Sequence, residues 1–212
     1  MPPRRPALIF DFGNVVAFFD YALACRTLGG RLGLTGEAFL TILRERGLMN
    51  VVHAFESGSI PAEEFTRSVE RLAGLDLDHA EFEASWGDIF TLNRPVAALV
   101  GALKAQGYPL VLGSNTNEIH ARQFRRQFAD TLDLFDHLVL SYEIRRLKPS
   151  AAFYLTCAEA SGARPEECVF IDDLPENVEG ARQAGLDAIL YREVPSLISA
   201  LRARGVTVDL PR

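Results

Sequence analysis

Short apolar runs alternate with helical stretches along most of this chain, and that alternation restricts the fold more than any other feature. The runs are ALIFDF at 7–12, PLVLGS at 109–114, HLVLS at 137–141, CVFID at 168–172 and DAILY at 187–191. Helical patterns lie between the later ones: PVAALVGALKAQG, EIHARQFRRQF from near Asn117, SAAFYLTCAEA, NVEGARQA and finally PSLISALRARG. Strand and helix in alternation predict βαβ units wound around a largely parallel sheet. The rhythm is uneven at the start, because residues 20–90 read as wholly helical, punctuated by Gly29-Gly30, Gly33, Gly47, Gly58 and Gly74. Thr35, Pro61 and the Asp78-x-x-Glu81 box mark helix starts within that stretch, and Asn93-Arg94-Pro95 marks its end. The expected organisation is an α/β core of residues 1–19 and 91–212, its mostly parallel sheet flanked by helices, with an α-helical unit of residues 20–90 inserted after the first strand.

The balance of 22 basic against 28 acidic residues, without a basic stripe, argues against nucleic acid or an anionic membrane as the main partner. Arg122, Arg125 and Arg126, and the pair Arg145-Arg146, read as solvated surface. Cys25, Cys157 and Cys168 are odd in number and share no C-x-x-C spacing, so neither a disulfide framework nor a zinc site is expected, and a reducing cytoplasm is the expected location. The apolar run after Met1–Pro6 is too short for a signal peptide, and no stretch has the length of a bilayer span. His79, His120 and His137 lack the H-x-x-x-H spacing of a zinc site and read as surface or satisfied core groups. Trp86 and the Phe residues at 18–19, 39, 55, 65, 82 and 90 recur at helical spacings, which reads as the core of the inserted unit, with one or two left to wall a cleft.

In an open α/β sheet, parallel strands present their carboxyl ends along one edge, where ligands bind. Asp11 closes the first apolar run, Ser114-Asn115 the second, and Asp172-Asp173 the fourth, while Lys148-Pro149 lies just beyond the third. Two carboxylate clusters at strand ends point to one metal-bearing site. Taken singly these residues have plainer readings: a strand-end Asp caps a turn or helix, Ser-Asn makes a turn, and Asn177 caps the helix that follows it.

Taken in order, they resemble the haloacid dehalogenase superfamily, most of whose members are Mg²⁺-dependent phosphatases. LIFDFGNVV looks like its first motif, VLGSNTN its second, Lys148-Pro149 its third and VFIDDLPENVEGA its fourth, a resemblance that spans essentially the whole chain. The first motif is most similar to the D-x-G-N-V branch, which contains sugar-phosphate phosphatases. The resemblance implies a Rossmann-like core with a helical cap at 20–90, acting on a small phosphorylated metabolite. Asp11 is then the nucleophile, forming an aspartyl phosphate. Each pair of like charges 4 Å apart in such a reaction repels by about 4 kcal/mol at an effective dielectric near 20, so the site needs positive charge. The resemblance implies Mg²⁺ on Asp11, Asp173 and the Gly13 carbonyl, with Asp172 as a further ligand or the holder of a metal-bound water. Lys148 neutralises the nucleophile and a phosphate oxygen, Ser114 hydroxyl and Asn115 amide hold the transferring group, and Asn177 orients Lys148 or a metal-bound water.

One departure stands out. Most phosphatases of the family carry a second Asp two residues after the nucleophile, as general acid and base, and here that residue is Gly13. Such help is typically worth about 10² to 10⁴-fold. Either the substrate has a leaving group that needs little protonation, such as an anomeric sugar oxygen, or a cap residue substitutes, or chemistry is lost and the chain is a regulatory or binding protein. The first option is the expectation, with Gly13→Asp then raising turnover on alkyl phosphates. His53 and Glu56, three apart in VVHAFESGSI, are the cap candidates for the second. A 2-haloacid dehalogenase is the other rival. It works without metal, which would leave Asp172 and Asp173 to repel each other unrelieved.

Overall fold

The computed structural model describes residues 5–76 and 78–209. Seven strands occur among them: β1 (Ala7–Phe10), β2 (Ala17–Phe19), β3 (Phe90–Leu92), β4 (Leu110–Ser114), β5 (His137–Leu140), β6 (Cys168–Asp172) and β7 (Asp187–Leu190). Five form a parallel sheet in the order β5-β4-β1-β6-β7, with Leu8 of β1 paired to Leu110 on one side and to Val169 on the other. Every residue of β1, β4 and β6 is buried, as a parallel sheet covered on both faces requires. Successive residues of β1 point to opposite faces: Leu8 and Phe10 pack with Val100, Leu112 and Phe124, while Ala7 and Ile9 pack with Val111, Phe153 and Phe170.

Between β2 and β3 run α1 (Tyr21–Gly30), α2 (Gly36–Glu45), α3 (Leu48–Glu56), α4 (Ala62–Ala73) and α5 (His79–Gly87). Their apolar faces meet in a separate cluster, which includes Leu28, Phe39, Phe55, Phe65, Phe82 and Trp86 and also takes in Ile119 from the core. The Thr35 hydroxyl accepts from Ala38 N–H and the Asp78 carboxylate from Glu81 N–H, so both sequence-assigned helix starts are side-chain caps; Pro61 precedes α4 without one. Phe18 and Phe19, 47% and 38% exposed, lie outside the expected core of the inserted unit, and Phe19 walls a cleft instead.

The stretch 20–90 is not wholly helical. Phe90 belongs to β3, which pairs antiparallel with β2 through Ala17 and Leu92 to make a two-stranded ribbon at the foot of the helices. Strands of three residues show too little alternation to be read from sequence. Asn93 clasps the ribbon's base, its side-chain amide donating to the Val15 carbonyl at 2.9 Å and the Tyr191 hydroxyl at 3.0 Å. Beyond it come α6 (Arg94–Ala105), α7 (Glu118–Gln127), α8 (Ala129–Leu132), α9 (Ser141–Ile144), α10 (Ala151–Ser161), α11 (Pro175–Gln183) and α12 (Val194–Arg202). Strand ends differ slightly from expectation: β1 stops at Phe10, and Ser141 opens α9 instead of closing β5. Among the described residues no helix is long and apolar enough to cross a membrane.

One close approach bears on the site. A Cβ at Gly180 of α11 would lie 2.8 Å from both the Cβ and the carbonyl oxygen of Pro149, so α11 seats directly on the Lys148-Pro149 loop. Overpacking of this kind costs about 1–3 kcal/mol. Gly180→Ala is therefore expected to lower the midpoint of urea unfolding by a corresponding amount and to weaken activity by shifting Lys148; an unchanged midpoint would show that the contact yields freely.

Candidate active site

Because β4, β1 and β6 are neighbours in the sheet, their carboxyl ends bring Ser114, Asp11 and the Asp172-Asp173 pair to one edge. Lys148 reaches the same edge from the loop after α9. Its Nζ donates to Asp11 Oδ1 at 2.6 Å and to Asp172 Oδ2 at 2.7 Å, in a group of three buried charges. Burial alone would lower the pKa of the ammonium, but the two carboxylates outweigh it and hold the value above that of an ordinary lysine. Burial drives Asp11 the opposite way, to about 7; Lys148 opposes that rise, and Asp172 and Asp173 add to it.

Asp172 is saturated. Its Oδ1 accepts from Leu174 N–H at 2.9 Å and its Oδ2 from Lys148, while the Asn177 amide reaches both oxygens at 3.1 Å. Asn177 therefore holds Asp172 directly, whereas the sequence reading had it orienting Lys148 or a water. It is not the cap of α11 either, since Leu174 occupies that position. Asp173 is only partly buried, and its Oδ2 accepts from the Asn14 amide at 3.2 Å. Burial, then the neighbouring Asp172, raise its pKa, with Asn14 opposing.

Asn14 is a site residue that the sequence reading passed over. It sits at φ 56° in the turn after β1, with its N–H on the Ala17 carbonyl at 2.7 Å. Asn tolerates this left-handed conformation better than most residues, so the Gly-Asn pair after an apolar run was the available signal. Asn115 has a second task. Its side-chain oxygen accepts from Lys148 N–H at 2.9 Å and one hydrogen of its side-chain amide goes to the Lys148 carbonyl at 3.1 Å, so the side chain also fixes the Lys148 main chain. Ser114 is buried at the edge of the cleft, its hydroxyl making a long contact of 3.3 Å with the Asn115 carbonyl.

The donor set fits a hard divalent cation. Asp11, Asp172 and Asp173 each offer an oxygen within 4.8 Å of the others, and Asp11 and Asp173 have lone pairs beyond those engaged by Lys148 and Asn14.

A small cleft of about 60 Å³ opens beside this cluster, walled by Gly13, Phe19, Tyr21, Glu56, Phe90 and Ser114 among others. Of the two cap candidates, Glu56 lines it; His53, on the same helix α3, is exposed to solvent and outside it. A Cβ at Gly13 would lie 3.0 Å from the Phe19 ring, so the gain expected of Gly13→Asp requires that ring to give by a few tenths of an ångström. His120 also borders the cleft, but as a satisfied core group. Its Nε2 donates to the Trp86 carbonyl at 3.1 Å, its Nδ1 accepts from the Asn117 amide at 3.0 Å, and burial lowers its pKa to about 4.

Residues 7–185 match the haloacid dehalogenase-like hydrolases over most of the chain. The chain belongs to that family. This hydrolase is 26% identical over 187 residues to a D-ribitol-5-phosphate phosphatase of Bacteroides thetaiotaomicron, covering 85% of this chain and 88% of the relative. It shares its fold with a haloacid dehalogenase family enzyme from the same organism solved in complex with magnesium and inorganic phosphate, at a TM-score of 0.76 and 24% identity over 92% of this chain and 99% of that one. The L-2-haloacid dehalogenase of Xanthobacter autotrophicus also shares the fold, at a TM-score of 0.64 and 18% identity over 96% and 85% of the two chains. Fold alone therefore does not separate phosphatase from dehalogenase in this hydrolase; the site residues must do so.

Proposed function

We propose that this hydrolase is a Mg²⁺-dependent phosphatase that cleaves a small phosphorylated metabolite, of the sugar or polyol phosphate class, through an aspartyl phosphate on Asp11. The observation that carries the reading is the Lys148 ammonium between Asp11 and Asp172, with Asp173 close enough to share a cation. A dehalogenase site working without metal would leave three acids against one buried lysine, an excess of negative charge that a bound cation would offset. The small cleft, with aromatic walls and one carboxylate, suits a polyol better than a large ligand. The likeness to a ribitol-phosphate phosphatase favours the same class.

In this reading Asp11, Asp173 and the Gly13 carbonyl hold the cation directly, and Asp172, with its lone pairs already engaged, acts through a bound water. When bound, Mg²⁺ offsets the carboxylate charge and polarises a phosphate oxygen. Lys148 keeps Asp11 ionised and aimed, and neutralises a second phosphate oxygen. Ser114 hydroxyl donates to a third. Asn115 positions Lys148, and Asn14 positions Asp173. Asp11 oxygen attacks phosphorus as the bond to the leaving oxygen breaks, and water later releases phosphate and restores the carboxylate. The helices of residues 20–90 serve as a cap over this edge.

Phosphate release from a panel of sugar and polyol phosphates, with Mg²⁺ and again in chelator, tests the reading beside chloride release from 2-haloacids. Metal-dependent phosphate release is expected. Chloride release that persists in chelator would replace the reading with the dehalogenase one.

Metal binding also has a thermal signature. The Asp11 pKa rises on folding from 3.8 to about 7, so without metal the folded state holds the extra proton and loses stability as pH rises through that window. Cation binding needs the ionised acid and is strongest above it. At 100-fold excess over Kd, Mg²⁺ contributes about 2.7 kcal/mol, a rise in Tm of about 5–10 °C at pH 8 that shrinks toward pH 5. Calorimetry should find this rise in the parent protein and lose it in Asp173→Asn; equal rises in both would remove Asp173 from the ligand set.

A further inference from the structure

We propose that Glu56, carried by the inserted helix α3, is the general acid and base of this site, in place of the side chain that position 13 lacks. The assignment rests on the phosphatase reading and names the group that reading leaves open.

Position 13 has no side chain to give, and the ring of Phe19 stands 3.0 Å from where its Cβ would be. The proton must come from another wall of the cleft. Among the described residues three titratable side chains line it: Tyr21, His120 and Glu56. Burial holds the Tyr21 phenol far above its ordinary value, with Glu56 adding to the rise. Both ring nitrogens of His120 are engaged with Asn117 and Trp86. Glu56 alone remains, sharing the cleft with Gly13 and Ser114.

Its presentation is built into the fold. Ser141 Oγ donates to the Glu56 carbonyl at 2.6 Å and accepts from Thr116 N–H at 2.9 Å, which ties the end of α3 to the loop two residues beyond Ser114. Two residues on, Gly58 lies at φ 68°, and a Cβ there would come within 2.4 Å of the Tyr142 carbonyl. Only glycine permits that approach. Both contacts join the C-terminal end of α3 to α9, so the Glu56 main chain is held against the core at the catalytic edge. Burial pushes the Glu56 carboxyl up to about 7, with Lys148 opposing, a value suited to giving a proton and taking one back.

As Asp11 Oδ bonds to phosphorus, the bond from phosphorus to the leaving oxygen breaks, its electron pair stays on that oxygen, and the oxygen takes the Glu56 proton. Glu56, now a carboxylate, removes a proton from water as the water oxygen bonds to phosphorus. The bond from phosphorus to Asp11 breaks, its electron pair returns to Asp11, and inorganic phosphate departs with Glu56 protonated again.

Glu56→Gln keeps the shape and removes the proton chemistry. The rate of leaving-group release in a single turnover of ribitol 5-phosphate, an alkyl ester, and of p-nitrophenyl phosphate, whose leaving group needs no proton, provides the test, because it reads the first step alone. The alkyl ester is expected to lose about 10² to 10³-fold while the aryl ester changes by less than about 3-fold. Equal losses on both esters, or no loss on the alkyl ester, would overturn the assignment while leaving the phosphatase reading in place. Wild-type protein that releases phosphate from neither ester overturns both.

Discussion

Asp11→Asn is expected to abolish phosphate release, lowering kcat by about 10⁴-fold or more, with the protein still folded. The amide cannot attack phosphorus, and neither neighbouring acid is placed to replace it: Asp172 is saturated by Lys148, Leu174 and Asn177, and Asp173 is turned to Asn14. Stability should move the other way. Asp11 is buried with a pKa raised to about 7, so in metal-free protein above that pH its ionised form opposes folding, and a neutral isostere relieves the penalty. Activity kinetics beside thermal unfolding in chelator would read both effects. Residual turnover near the parent level would remove Asp11 from the chemistry, and collapse of the fold would show that the charge is structural.

Lys148→Met is expected to fail differently, losing both activity and about 3–5 kcal/mol of stability. Lys148 is the buried cation that compensates Asp11 and Asp172, at 2.6 and 2.7 Å, and its removal leaves two acids in an interior that does not solvate them. Adding Asp172→Asn to Lys148→Met removes one of the stranded charges. Urea unfolding of the double variant should recover part of the lost stability without recovering turnover. A single variant as stable as the parent would mean that the triad of charges is open to water and weakly coupled.

Much of this site is legible in the sequence because β-strand ends and adjacent strands are what a βαβ pattern specifies. Asp11, Ser114 and Asp172 each close an apolar run, and parallel pairing of β4, β1 and β6 brings them together without further information. Lys148 needed the ordered motifs, since a lysine before a proline in a loop has no periodicity to mark it. The roles of amide side chains were less readable. Asn115 turns to the Lys148 main chain, Asn177 to Asp172 and Asn14 to Asp173, and such choices depend on which donors tertiary packing leaves unsatisfied. The ribbon of β2 and β3 escaped because three residues are too few to alternate. Glu56 and His53 were indistinguishable in sequence, three apart on one helix; only the Ser141 and Gly58 contacts, which set how α3 meets the core, separate the residue in the cleft from the one in solvent.

The account depends on phosphorus becoming bonded to Asp11. Quenching the protein with borohydride during turnover of a hydrolysed ester reduces an acyl phosphate to the alcohol, and mass spectrometry of the peptide containing residues 7–14 locates it. Homoserine at position 11, present with substrate and Mg²⁺ and absent when either is withheld, is the expected result. An unmodified Asp11 during steady turnover, with the label on another carboxylate, would contradict it.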